Sequence, residues 1–210
     1  MQLYSMTLAV NPQRVRIFAA EKGIALDIIE IDIPGGENLS ETYLKINPRG
    51  LLPALVLDDG TVLTETVAIC RYLESLFPEP NLLGGTAKEQ ALIEMRQREM
   101  EFDGLLPISW IFRNTAAHFK TRPQPGAVPD MEQLPGMAAR GQVLTSVWLD
   151  RLNESLGQHS YVAGERFTIA DITAFCGLGF ARWVKISVPD GHTHTKRWLA
   201  EMLQRPASKA

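Results

Sequence analysis

Apolar residues recur along this chain with two different periods, and the switch between them divides it. Over residues 1–80 short apolar runs alternate with one-sided helical stripes. Gln2 to Ser5 and Leu26 to Ile31 read as strands. Between them Val15, Phe18 and Ala19 form the stripe of a helix that Asn11 caps, Pro12 opens and Gly23 ends. Pro34-Gly35-Gly36 marks a turn, and Leu39 to Ile46 a short helix opened near Asn38 or Ser40. An Asn-Pro-Arg-Gly turn then leads into Leu51-Leu52-Pro53 and an apolar strand. Asp58-Asp59-Gly60 turns that strand back into a second, which stops at Glu65-Thr66. Val67, Ile69, Cys70, Leu73, Leu76 and Phe77 then describe a helix closed by Pro78 and Pro80. The order β-α-β-α-β-β-α predicts an α/β domain, a mixed sheet with helices on its faces.

Beyond a linker rich in proline and glycine (77–85) the helical period takes over, so a domain covering 1–80 is followed by an all-α domain covering 86–210. Thr86 to about Lys120 reads as one long helix bent near Gly104 or Pro107, since an internal proline forfeits a hydrogen bond. Pro123, Pro125, Pro129 and Pro135 punctuate an aperiodic segment, and a loop of that length is usually functional or mobile. Met137 to Leu156 is the next helix. Thr168-Ile-Ala-Asp171 forms a capping box, and the helix it opens, from Ile169 to Val184, is apolar on all sides and so belongs at the centre of the domain. His192 to Leu203 is the last helix.

Composition narrows the function classes. With 210 residues, 45% hydrophobic content and a net charge of −3, the chain can build a core but offers no general attraction to nucleic acid or an anionic membrane. The N-terminus lacks the positive charge of a secretory signal and no apolar run would span a bilayer, so the expected location is cytoplasmic. Cys70 and Cys176 lie in apolar helical patterns and read as buried thiols rather than a disulfide. His192 and His194 sit in a polar loop and read as solvated; no metal site is expected.

The chemistry concentrates at both ends of the hairpin Asn47–Thr66. Pro53 cannot donate a ladder hydrogen bond and suits the first residue of a strand, which makes Leu52-Pro53 a candidate cis peptide. The N–H and C=O of Leu52 could then pair with an extended peptide as one more strand. Glu65 and Thr66 fall where strand gives way to helix, and the free N–H groups of a first helical turn bind carboxylates. The pattern describes a peptide clamp.

Four segments, NPQRVRIFAAEKGI, NPRGLLPALVLDDGTVLTET, AICRYLESLFP and YVAGERFTIADI, stand in the order found in cytosolic glutathione transferases, which the chain resembles over nearly its whole length. The resemblance implies a thioredoxin-like first domain and a glutathione transferase activity. Glutathione would be a co-substrate joined to a hydrophobic electrophile in detoxification, and the protein would be a homodimer. It places Leu52 and Pro53 against the cysteinyl part of glutathione and Glu65 and Thr66 on its γ-glutamyl end, with Asn38 in the same site. The chain departs from the family where a Tyr, Ser or Cys usually stands before the first helix: it reads Leu8-Ala9-Val10-Asn11, leaving Asn11 as the nearest candidate and Ser5, Thr7 and Tyr4 as weaker ones. It is closest to a fungal and bacterial subgroup that lacks that hydroxyl and uses a serine and a histidine of the fourth helix. Ser109 falls on the serine, but the histidine is Arg113, one turn on and on the same face. By the same resemblance Met6, Leu8, Trp110 and Phe112 line the acceptor site, with Phe119 or Trp183 as further candidates. The alternatives are a glutathione-binding protein with little turnover, or a peroxidase or isomerase on the same fold.

Overall fold

In the computed structural model, which describes residues 1–210, the first alternation becomes β1 (Gln2–Ser5), with Leu3 and Ser5 buried and Gln2 exposed. β1 lies inside a sheet of order β2-β1-β3-β4. It pairs in parallel with β2 (Asp27–Glu30) and antiparallel with β3 (Ala54–Val56), which pairs antiparallel with β4 (Val62–Thr64). Leu3 stands opposite Ile28 on one side and Leu55 on the other, so the centre of the sheet is apolar. Helices α1 (Val10–Glu21) and α3 (Thr66–Leu76) pack on each other through a core in which Val15, Phe18, Ile69 and Leu73 have no exposed surface. Each such side chain contributes roughly 1.5–3 kcal/mol by burial. This is the mixed sheet that the element order predicts, in the thioredoxin-like arrangement that the resemblance implies.

Local chemistry shifts several boundaries. The cap of α1 is Ala9, and Asn11 lies inside the first turn, where Pro12 can follow because its missing N–H would have had no partner. Gly23, at φ 67°, ends the helix as expected. The short helix divides into a 3-10 turn (Glu37–Leu39) and α2 (Glu41–Leu44), because extended Ser40 caps α2 by accepting from the Tyr43 N–H. Ser40, not Asn38, is therefore the opener. The aperiodic segment is also divided: Gln124–Asp130 clusters with Met1–Pro80 and Lys209–Ala210 in one compact unit, and the remainder forms the second. Ala127 donates its N–H to the Arg49 carbonyl at 2.8 Å, and Gly126, at φ 93°, passes so close that a Cβ would stand 2.5 Å from the same oxygen.

In the helical unit the expected long helix is present as a continuous run that changes its winding near Gly104, and it ends at Thr115 rather than near Lys120. α4 (Ala87–Glu99) runs through a π-helical stretch (Met100–Leu105) into α5 (Leu106–Thr115), and a 3-10 turn (Ala117–Phe119) follows. Pro107 sits in the first turn of α5, where it is tolerated, and the irregular winding lies at Gly104. A Cβ there would meet the Trp148 ring at 2.6 Å. α6 (Pro135–Gln158) carries Trp148, and α7 (Ile169–Ala181) is buried along nearly its whole surface. A further turn (Arg182–Val184) precedes α8 (Thr193–Gln204). The capping box is formed, with Asp171 fully buried. His192 departs from the solvated reading: its side chain is only 14% exposed and its Nε2 lies 3.0 Å from Asp150. Cys70 and Cys176 are buried and form no disulfide. No helix is long and apolar enough to cross a membrane.

Candidate functional site

The turn before β3 is held from behind by buried polar side chains. Asn38 Nδ2 donates to the Gly50 carbonyl at 2.8 Å, and the Leu51 carbonyl accepts from the Tyr43 hydroxyl at 2.6 Å and from Asn47 Nδ2 at 2.8 Å. Burial pushes the Tyr43 hydroxyl well above the usual phenol range, so it acts as a fixed donor. The next peptide bond, Leu52-Pro53, is cis. Neither the N–H nor the C=O of Leu52 has a hydrogen-bond partner within the chain, although the Leu51 carbonyl before it is engaged and strand pairing begins at Ala54. Unpaired groups beside a strand end can take an extended chain. Asn38 itself is 6% exposed and committed to Gly50, which makes it a support for this turn.

At the other end of the hairpin, Glu65 precedes α3 with φ 68°, a positive value that is uncommon outside glycine and marks a constrained position. No side chain caps α3 and no acidic residue stands in its first turn, so the N–H groups there are open to an anion. The Glu65 carboxylate pairs with Arg49 Nη1 at 2.6 Å, both side chains being 65% exposed. Arg49 belongs to the Asn-Pro-Arg-Gly turn, whose sequence identifies the turn but not the partner its third residue would find. Thr66 is buried, with its hydroxyl 3.5 Å from the Asn11 carbonyl, which joins the start of α3 to the start of α1.

The start of α1 is likewise uncapped and free of acidic residues. Asn11 is exposed and its Oδ1 accepts from Arg14 Nη1 at 2.9 Å. An arginine can only donate, so the amide orientation is fixed and Nδ2, which has no partner in the chain, is a donor at the helix start. The weaker hydroxyl candidates are placed elsewhere: Ser5 is fully buried with its Oγ bonded to Arg16 Nη1 at 2.6 Å, and Tyr4 lies in β1 against Tyr43. Arg16 also holds the Met6 and Thr7 carbonyls at 3.2 and 2.7 Å and so fixes the loop before α1. In that loop Met6 is half-buried and Leu8 is 63% exposed.

In the helical unit α5 carries Ser109, Trp110, Phe112 and Arg113, all half-buried. The Ser109 hydroxyl has no partner in the chain. Phe112 meets Phe119, Phe180 and Trp183 edge to face at centroid distances of 5.2, 5.4 and 5.5 Å, with His118 at 5.7 Å. The Arg113 guanidinium lies 4.2 Å from the Phe119 ring centre and donates to the Arg122 carbonyl at 3.3 Å. Burial, and secondarily the charge of Arg122, push Arg113 down to about 10, so it remains a cation at neutral pH and cannot serve as a base there.

The chain is similar throughout to known proteins of one kind. Residues 10–76 match the model of the glutathione S-transferase N-terminal domain, and residues 125–206 that of the C-terminal domain. Glutathione S-transferase 2 of Saccharomyces cerevisiae is 33% identical over 100% of this chain and 88% of its own length. A maleylacetoacetate isomerase of Pseudomonas aeruginosa is 37% identical over 43% of this chain and 44% of its own. The crystal structure of a glutathione S-transferase domain-containing protein from Marinobacter aquaeolei superposes with a TM-score of 0.91 at 32% identity, covering 99% of this chain and 100% of that one. The chain belongs to the glutathione S-transferase family.

Proposed function

We propose that the protein binds glutathione in the clamp and joins its thiolate to a hydrophobic electrophile. The observation that carries this reading is the unpaired backbone of Leu52 at the cis bond, in a hairpin whose other end opens the uncapped start of α3. Leu52 would pair with the cysteinyl backbone. The first-turn N–H groups of α3 and the Thr66 hydroxyl would receive the γ-glutamyl carboxylate, and Glu65 its ammonium. A thiol attacks as the anion, whose ordinary pKa near ~8.5 must be lowered for work at neutral pH. The start of α1 supplies about 0.3–1 kcal/mol through its dipole, and Asn11 Nδ2 adds a donor without a hydroxyl. Ser109 and Arg113 would assist from α5, Ser109 by holding a water and Arg113 by charge. The electrophile would meet the apolar residues Met6, Leu8, Trp110 and Phe112. We further read the protein as a cytoplasmic homodimer, a reading supported by the exposed Leu92, Met95 and Phe102 and by the exposed Val143, Leu144 and Val147 of α6. A monomer in sedimentation would overturn the dimer.

Titration calorimetry with glutathione tests the clamp. Saturable binding is expected, weakened about tenfold in Glu65→Gln by loss of one charged contact; no binding to the native protein would overturn the reading. A glutathione-binding protein with little turnover is the second reading, favoured by Ala9 where a hydroxyl usually stands and by Arg113 in place of a base. Ultraviolet absorbance of the thiolate separates the two, because a bound thiol that titrates as in free solution would leave only binding.

A further inference from the structure

Two guanidinium groups of the helical unit have no carboxylate to pair with. Arg113 and Arg122 are both half-buried, and neither makes an ion pair with any acidic side chain of the chain. The single internal bond of the Arg113 guanidinium, 3.3 Å to the Arg122 carbonyl, uses one of its five N–H donors. Elsewhere in the unit Arg98 pairs with Glu94 and Glu101, and Arg197 with Glu201. A desolvated cation without a counter-charge is costly, and the charge of Arg122 adds to the effect of burial on Arg113. The carbonyl and the Phe119 face offset only part of that.

The ring under Arg113 also belongs to the aromatic group centred on Phe112, whose Trp183 is 48% exposed. Unpaired donors and an open aromatic surface thus share one ring. We propose that Arg113 and Arg122 bind the carboxylate of the acceptor while its planar body packs on the rings around Phe112 and Trp183, so that this protein's preferred electrophiles are aryl carboxylates. The inference rests on the transferase reading for turnover, but not for binding. Arg113 then acts as a specificity-determining residue toward the acceptor, in addition to any effect of its charge on the thiolate. A guanidinium takes a carboxylate with two parallel hydrogen bonds, which an ammonium cannot reproduce. In the reaction the glutathione sulfur attacks the ring carbon that bears the leaving group. The C–S bond forms as the C–Cl bond of a chloroarene breaks, and chloride departs with the electron pair.

The first test needs no turnover. Quenching of tryptophan fluorescence would compare para-nitrobenzoate with its uncharged methyl ester, neither of which carries a ring halide for the thiolate to displace. The carboxylate is expected to bind about tenfold more tightly than the ester, and Arg113→Gln to abolish that preference. Equal binding of the two by the native protein, or a preference that survives in both Arg113→Gln and Arg122→Gln, would overturn the proposal. The Arg122 variant keeps the test decisive if Arg113→Gln fails to fold. The second test uses a para-chlorodinitrobenzoate and its ester with glutathione. In Arg113→Gln the KM for the carboxylate should rise about tenfold relative to the ester, with Arg113→Lys recovering only part of it. Absence of turnover with both compounds would sink the transferase reading and leave the binding result standing by itself.

Discussion

The starts of α3 and α7 look alike in sequence, since each sets a threonine near an acidic residue at the head of an apolar helix, and they are built for opposite ends. At α7 the acid is turned inward. Asp171 accepts from the Thr168 and Val162 N–H groups and from the Trp198 indole, each at 2.9 Å, and is completely enclosed. At α3 the acid is turned outward to Arg49, the backbone of Glu65 is held at φ 68°, and no side chain meets the first-turn N–H groups. One helix start has spent its hydrogen-bonding capacity on the fold, and the other has left its first-turn N–H groups without a side-chain partner, which is what the proposed ligand would use. Altering the first should therefore cost stability, and altering the second should cost binding.

The largest effect is expected at the closed start. Asp171→Ala strands three buried donors and leaves a cavity, and should lower unfolding stability by about 3–5 kcal/mol in urea denaturation, with the clamp's glutathione affinity unchanged wherever the protein is folded. A loss below about 1 kcal/mol would break the comparison. The same residue sets a pH dependence. Burial raises Asp171 from 3.8 to about 6 against the pull of its donors, so the folded protein holds this proton after the unfolded chain has released it. Its contribution is then fully present below about pH 4 and is lost as pH rises to about 6, some ~3 kcal/mol at roughly 1.4 kcal/mol per pH unit. Urea midpoints measured across that range should fall with pH in the native protein and flatten in Asp171→Asn.

These two starts also mark what could be read from the residues alone. The capping box was legible because spacing by itself specifies it, and the order of strands and helices because apolar period and glycine or proline punctuation specify them. The cis bond at Leu52 followed from a proline at a strand entrance. What was hidden depends on contacts far apart in sequence. Nothing near Arg49 announces that it pairs with Glu65, or that Ala127 will bond to its carbonyl. Asn38 reads as a helix opener until its amide is seen holding Gly50. The π-helical stretch at Met100–Leu105 preserves the apolar pattern, so periodicity shows a bend near Gly104 but not the close approach of the Trp148 ring from another helix.

At the open start the expected sign reverses. A non-glycine residue held at positive φ stores roughly 1–3 kcal/mol, part of which glycine returns as unfolded-state entropy. Glu65→Gly should therefore stabilise the protein by about 1 kcal/mol while weakening glutathione at least as much as Glu65→Gln does. A variant that is both less stable and equally tight in binding would show that this backbone serves the fold.

The smallest effect separates the ion pair from the ligand. Arg49 and Glu65 are each 65% exposed, so their attraction is screened and Arg49→Gln should change stability by no more than about 0.5 kcal/mol. Its effect on glutathione is a contest of two terms. On the proposed binding, Arg49 would compete with the ligand's ammonium for Glu65, yet it would also supply a cation to a peptide that carries more negative than positive charge at neutral pH. The net-charge term should prevail, because the ligand ammonium can share the carboxylate's second oxygen while a lost cation has no replacement. Calorimetry should show binding weakened about threefold in Arg49→Gln, with the difference shrinking as salt rises and the Debye length shortens from about 10 Å at 0.1 M. Tighter binding in the variant would mean that Arg49 closes the clamp in the free protein and must be displaced, and the open start of α3 would then be open only in part.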